Sequence, residues 1–449
     1  MKNNNPLESL PVSTLLFKLA MPSILAQVVS LLYSIVDRIY ISHIPVVGTE
    51  ALSGIGITTP LIVAINSFAN LISMGGAPLA AIELGKKNTR QSRSILWNCL
   101  IYTVITSFIL MIVLFLSKNR FLQILGADDS VFTYANDYLT ICVFGSLFSL
   151  GTLVVNTFLN TQGKNKISMI IEVGGTVFNL IFDPLFIFVF KMGVKGAAIV
   201  TVISQIGTTI AGFIILLKKD SPLYIEVSKI SFSIFKNVIL LGVASFIMRI
   251  TESFINIVFN NQLIRYGGLE YVAVHSIIFS ITQMIILPIT GMQHGAQPIL
   301  SYTYGSKNQE RMNQTIKLIF VFMTLWTLFC TLFLEIFASP VFKVFTSENN
   351  LLRIGIPAFR LMTIGRFFTG AQWSIQTVHS SVGAAKRAMS VALVRKVLLI
   401  IPLAYLLPAI TGAGVSAVFL AEPVSDILAQ CFAVSIFIPF YKNKLSNLK

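Results

Sequence analysis

Charge is scarce in this chain. Only 11% of its 449 residues are Asp, Glu, Lys or Arg, against roughly 25% in an ordinary soluble domain. That shortage excludes a soluble globular enzyme. The 55% apolar content excludes a disordered chain. Cysteine is limited to Cys99, Cys142, Cys330 and Cys431, far apart in apolar segments. Without a CxxC spacing they suggest neither a metal site nor a disulfide framework. The four histidines, His43, His275, His294 and His379, form no HExxH pattern, which argues against a membrane-embedded zinc hydrolase. No GxxxxGKS or GxxxxGKT loop is present, so this chain is not expected to use ATP. Acids are outnumbered, 18 to 33 basic residues, for a net charge of +15. Nucleic acid is not the expected partner: in so apolar a chain the excess fits basic loops beside a membrane.

What the sequence has instead is long apolar runs and a mean hydropathy of +0.80. The runs lie at roughly 15–41, 51–82, 94–117, 133–160, 168–190, 194–217, 234–264, 270–302, 314–338, 354–382, 388–410 and 412–440. A span needs about 20 residues, so the expected fold is all-α and polytopic, with twelve transmembrane helices. A β-barrel would show short alternating segments instead. The second, seventh, eighth and tenth runs exceed a bilayer's need and predict tilt or extension into water. The first run is too long for a signal h-region and reads as an uncleaved span.

Lys and Arg alternate across these runs. One side carries 20 of them, including Lys86, Lys87, Arg90, Arg93, Lys164, Lys307 and Arg311. The other carries 7: Lys118, Arg120, Lys191, Lys195, Arg265, Lys343 and Arg353. The bias predicts cytoplasmic termini.

The two halves also repeat. Residues 48–88 laid on 268–308 match at Gly48, Glu50, Ile57, Ile65, Gly75, Pro78, Gly85, Lys87 and Asn88 without a gap. The same offset sets Gly163 on Gly383. Six spans per half give a parallel repeat about the membrane normal. The expected domains are residues 1–228 and 229–449, joined by a linker within 218–236, with a central cleft between two six-helix bundles.

Acids inside spans carry the expected chemistry: Asp37, Glu172, Asp183, Glu252, Glu422 and Asp426. Each charge at the bilayer centre costs roughly 2.5–3.5 kcal/mol. The six must therefore be paired, protonated, cation-bound or facing water. Pairing with Arg38, Arg249, Arg366 or Arg395 is one account, but the first half has only Arg38 within a span. Asn179 and Asp183 are four apart and share a helix face ahead of Pro184. An amide oxygen and a carboxylate suit Na⁺ or a proton. Glu422 and Asp426 are likewise four apart. Arg249, one turn before Glu252, is the expected neutraliser of Glu252.

Several segments together resemble the MATE family of multidrug and toxic compound extrusion transporters. They are Ala20-Met21-Pro22, Ser34-Ile35-Val36-Asp37, Gly48-Thr49-Glu50, Gly85-Lys86-Lys87-Asn88, Asn179 to Pro184 and Gly196 to Ser204. The resemblance covers essentially the whole chain and is nearest the DinF-like and MepA-like branches. It implies a proton or Na⁺ coupling site at Asp37, Asn179, Asp183 and Thr201, joined by a backbone carbonyl near Ala197. It implies bending at Pro22, and a drug cleft touching Tyr33 and Asn156. Glu172 departs from relatives with an apolar residue there and is a further cleft candidate. The NorM-like branch suggests a second-half cation site at Glu252, with Glu422 and Asp426 beside it.

The expected function is secondary antiport of cationic or lipophilic compounds against H⁺ or Na⁺, with no catalysis and no cofactor beyond the coupling ion. A monomer in contact with lipid, in the inner membrane of a bacterium, completes the expectation. A lipid-linked oligosaccharide flippase is the alternative, kept open by Arg249, Arg366 and Arg395.

Overall fold

A computed structural model describes residues 6–346, 348–446 and 448. Among them there is no strand. In chain order the helices of the first half are α1 Pro6–Ser9, α2 Val12–Ser42, α3 Gly48–Gly85, α4 Thr89–Ile124, α5 Asp129–Phe144, α6 Ser146–Thr161, α7 Asn165–Pro184 and α8 Gly193–Leu217. Those of the second half are α9 Phe232–Gly267, α10 Leu269–Gly305, α11 Gln309–Ile336, α12 Ala338–Lys343, α13 Asn349–Thr363, α14 Thr369–Ser381, α15 Ala385–Leu393, α16 Ile400–Thr411 and α17 Val415–Phe440. Helix is what an apolar chain must form where lipid offers no hydrogen-bond partner.

Ten spans among the described residues are long and apolar enough to cross a bilayer by themselves. The expected fourth is α5 and α6, bent by 54° at Gly145. The expected tenth is α13 and α14, broken by a 3₁₀ turn at Ile364–Phe368. Its α14 buries Gln372, Ser374, Gln376 and His379 inside the bundle, which explains its weak hydropathy. Helix α2 continues unbroken through Pro22. Helix α7 runs to Pro184, which cannot donate to the Leu180 carbonyl one turn earlier, and a π turn follows at Leu185–Val189.

The repeat is visible in the turns. Asn88 caps α4 by accepting from the Gln91 N–H (3.2 Å). Asn308 caps α11 by accepting from the Arg311 N–H (3.1 Å). The lysines before them, Lys87 and Lys307, both hold positive φ, 62° and 57°. Each turn is therefore built the same way, from a glycine end, a left-handed lysine and an asparagine cap.

The bundles meet along α3–α9 and α2–α10, where glycine lets backbone touch backbone. A Cβ on Gly75 would stand 2.0 Å from the Val238 carbonyl oxygen, and one on Gly242 1.8 Å from that of Leu71. The other half answers in kind. A Cβ on Gly295 would lie 2.7 Å from the Ala20 backbone, and one on Gly291 2.8 Å from that of Ile24. Nearer the chain termini, Gly85 abuts Tyr302 and Gly305 abuts Ile82. All these contacts lie in the half of the molecule nearest the face that carries α1 and the 86–88 and 306–308 turns. There Arg311 also donates to the Leu7 (2.9 Å) and Leu10 (2.8 Å) carbonyls. In the opposite half no hydrogen bond joins the bundles among the described residues. The bundles are sealed together at the terminal face.

Residues 218–231 are non-helical and connect the bundles. They lie along α4. Arg93 donates to the Pro222 carbonyl (3.0 Å) and the Tyr224 hydroxyl (2.8 Å), and pairs with Glu226 (3.0 Å). Asn98 donates to the Lys229 carbonyl (3.2 Å) and accepts from the Ser231 N–H (2.8 Å). Tyr102 donates to the Ser231 carbonyl (2.7 Å).

Candidate functional site: an acceptor cluster in the first bundle

Helices α2, α7 and α8 bring Asp37, Asn179, Asp183 and Thr201 together. Asp183 is fully buried and Asn179 nearly so. The Tyr33 hydroxyl donates to Asp183 Oδ2 (3.3 Å). Thr201 stands beside the same hydroxyl, and Asp37 is within electrostatic reach of both Tyr33 and Asp183. Asn179 turns its amide N–H back to the Gly175 carbonyl (3.1 Å), which also receives the Ser204 hydroxyl (2.9 Å). The amide oxygen of Asn179 is thereby left facing the cluster without a donor.

Three buried acceptors are unpartnered here: Asp37 Oδ1, Asn179 Oδ1 and Asp183 Oδ1. A buried acceptor without a donor costs roughly 1–3 kcal/mol, more if charged. Two carboxylates in one buried site also repel each other. Arg38 lies near Asp37, but it is exposed and forms no ion pair with it among the described residues. The arrangement has room for positive charge: a shared proton, or a cation taking carboxylate and amide oxygens. No group of three His, Cys, Asp or Glu fit to hold a metal occurs among the described residues. A Na⁺ ion would depend on the amide and hydroxyl oxygens as well as the two acids.

Tyr33 was expected to line the cleft; the structure places its hydroxyl on Asp183. Asn156 is buried in α6 with its side-chain oxygen unpartnered. Glu172 lies two turns before Asn179 on the same face of α7, and its carboxylate has no hydrogen bond or ion pair among the described residues.

The second-half acids are arranged differently, because each has a cation. Arg395 holds Asp426 through Nε (2.8 Å) and a terminal nitrogen (2.7 Å), with side chains 6% and 0% exposed. Arg366 pairs with Glu422. Lys396, not the expected Arg249, pairs with Glu252 (3.6 Å). Arg395 and Lys396 sit together on a π turn, Val394–Leu399. Adjacent basic residues in mid-span were the sequence signal for this pairing, and Lys396 was overlooked. Replacing Arg395 with leucine strands Asp426 and is expected to destabilise the protein by about 3–5 kcal/mol. Replacing both partners with leucine should recover most of that loss, read as thermal unfolding in detergent. Equal destabilisation by the single and double changes would contradict the pairing.

Comparison with known proteins follows this geometry. The MatE family profile matches residues 22–185 and 244–406, once in each half. Multidrug export protein MepA of Staphylococcus haemolyticus (strain JCSC1435) is 25% identical over 431 residues, covering 93% of this chain and 92% of that protein. MepA of Staphylococcus aureus (strain MRSA252) is 25% identical over 417 residues, covering 90% and 89%. Among solved structures, MATE in the bent conformation superposes with a TM-score of 0.92 at 21% identity, covering 100% of both chains. The outward-facing conformation of a multidrug resistance MATE family transporter of the MOP superfamily gives 0.89 at 21% identity, covering 100% of this chain and 99% of that one.

Proposed function

Since this chain belongs to the MATE family, we propose that it is a secondary antiporter exporting cationic and lipophilic small molecules in exchange for H⁺ or Na⁺. The observation that carries the coupling reading is the set of donorless acceptors at Asp37, Asn179 and Asp183. Such a site gains from loading a cation and is costly when empty. Thr201 and Tyr33 complete it. The curated relatives are named as multidrug export proteins, which supports small-molecule substrates.

The excess of basic residues in the loops of the sealed terminal face supports a cytoplasmic position for it by the positive-inside rule. In this cycle residues 1–228 and 229–449 are the moving lobes. Loading the first-lobe site, with bending of α2 at Pro22, drives release of drug to the outside. Asn156 and Glu172 contribute to the cleft on that lobe. The protein acts as a monomer in the bacterial inner membrane, surrounded by lipid, and needs no bound cofactor. The flippase alternative is not favoured. Arg366 and Arg395, two of the three arginines that held it open, are engaged by Glu422 and Asp426, and the curated relatives are named as multidrug export proteins.

The test is ethidium efflux from proteoliposomes under imposed gradients. Uphill efflux on a pH gradient alone is the result for H⁺ coupling, and on a Na⁺ gradient alone for Na⁺ coupling. Absence of efflux under both overturns the antiport reading for cationic drugs.

A further inference from the structure

The two bundles differ in how their acids are paired. In the first bundle three acids, Asp37, Glu172 and Asp183, have no ion-pair partner among the described residues. In the second bundle four cations, Arg249, Arg366, Arg395 and Lys396, meet three acids, Glu252, Glu422 and Asp426. The three ion pairs described above use up three of those cations. Arg249 is left with no hydrogen bond or ion pair among the described residues.

Its position on α9 is telling. Val238, Gly242 and Phe246 form the face of α9 that meets α3: Val238 against Gly75, Gly242 against Leu71, and Phe246 against Phe68 at 5.0 Å between ring centres. Arg249 is the next residue along that face, one turn beyond the last aromatic contact. It is exposed, so its guanidinium is accessible just beyond the last of those inter-bundle contacts. Electrostatically it lies near Glu252 and His294.

The same bundle holds further groups suited to an anion with an apolar body. The Lys396–Glu252 pair is long at 3.6 Å, and Glu252 is 38% exposed, so a second carboxylate can compete for the lysine. Arg366 has a buried Nε–H with no acceptor. Met248 and Trp373 line a small pocket with Arg395 and Lys396, offering apolar contact beside the charge.

We propose that Arg249, with Lys396 behind it, forms an anion subsite on the second bundle that takes the carboxylate of a substrate whose cationic end faces the acidic first bundle. The substrate class is then the zwitterionic amphiphile. One free guanidinium suits a single carboxylate, which it can grip through two parallel hydrogen bonds. In a cleft of low dielectric such a contact is worth far more than in water.

The inference deepens the efflux reading and rests on it for transport, so its test reads binding as well. Rhodamine B carries a carboxylate beside its delocalised cation; its ethyl ester keeps the cation and loses the carboxylate. Fluorescence polarisation of each dye with the full-length protein in detergent gives two affinities, and proteoliposomes give two efflux rates. The parent should bind rhodamine B more tightly than the ester. Arg249→Gln should lower the ratio of rhodamine B to ester affinity about tenfold, and Arg249→Lys should lower it less. An unchanged ratio in Arg249→Gln, a parent that does not prefer rhodamine B, or a parent that binds neither dye overturns the subsite. The expected binding ratios without any efflux would uphold the subsite and overturn antiport of these dyes.

Discussion

Asp183→Asn is expected to abolish uphill ethidium efflux while leaving the folded protein intact. Asparagine matches aspartate in shape and keeps an oxygen for the Tyr33 hydroxyl, so packing in this fully buried position changes little. What it loses is the ability to take a proton or to supply a full negative charge to Na⁺. Loss of about 2.7 kcal/mol of cation binding corresponds to a hundredfold weaker site, enough to uncouple the cycle at ordinary gradients. The measurements are efflux rate in proteoliposomes and thermal unfolding of the same preparation. A fall in efflux of about a hundredfold at unchanged unfolding temperature is the expected pair of results. Parent-like efflux would remove Asp183 from coupling. The second-bundle acids would be weak successors, since Glu252, Glu422 and Asp426 each already have a cation.

The other large effect belongs to the seal. Gly242→Ala adds one methyl group, placed 1.8 Å from the Leu71 carbonyl oxygen. The obstacle is backbone on a second rigid helix, so no rotamer change can relieve it. The bundles must separate there or the substitution must cost at least the roughly 1–3 kcal/mol of ordinary overpacking. Efflux should fall by more than about tenfold, a cost of at least 1.4 kcal/mol. Amide hydrogen exchange should rise in the facing stretches of α3 and α9. Gly174→Ala is the control, because a Cβ there meets nothing within 4 Å. Parent-like exchange and efflux in Gly242→Ala would show that this contact is not part of the closed state.

The seal also shows how far the sequence could be read. Gly75 with Gly295, and Gly85 with Gly305, were visible as identities of the repeat, and they prove to be where one half's backbone meets the other's. Glycine at a fixed register leaves a clear trace because any side chain would collide. Their partners left none: Val238, Tyr302 and Ile82 contribute carbonyl oxygens, which every residue possesses. Within the candidate site, Asn179 and Asp183 were legible because helical spacing sets them on one face. Tyr33 was assigned to the cleft instead, since its contact with Asp183 spans 150 residues and depends on how α2 crosses α7. The Lys396–Glu252 pair was missed for a related reason. Sequence proximity favoured Arg249, but a π turn carries Lys396 to Glu252.

The segment joining the bundles has a mechanical consequence. Because Arg93, Asn98 and Tyr102 fasten it to α4 as far as Ser231, it offers no slack when the halves move. It travels with the first half as part of the same rigid leaf. Its last residue, Ser231, also caps α9, its hydroxyl accepting from the Ile234 N–H (3.4 Å), so this corner ties the two halves together. A turn of one half against the other would pivot near this corner, so that a small rotation there becomes a large displacement at the far ends of the helices.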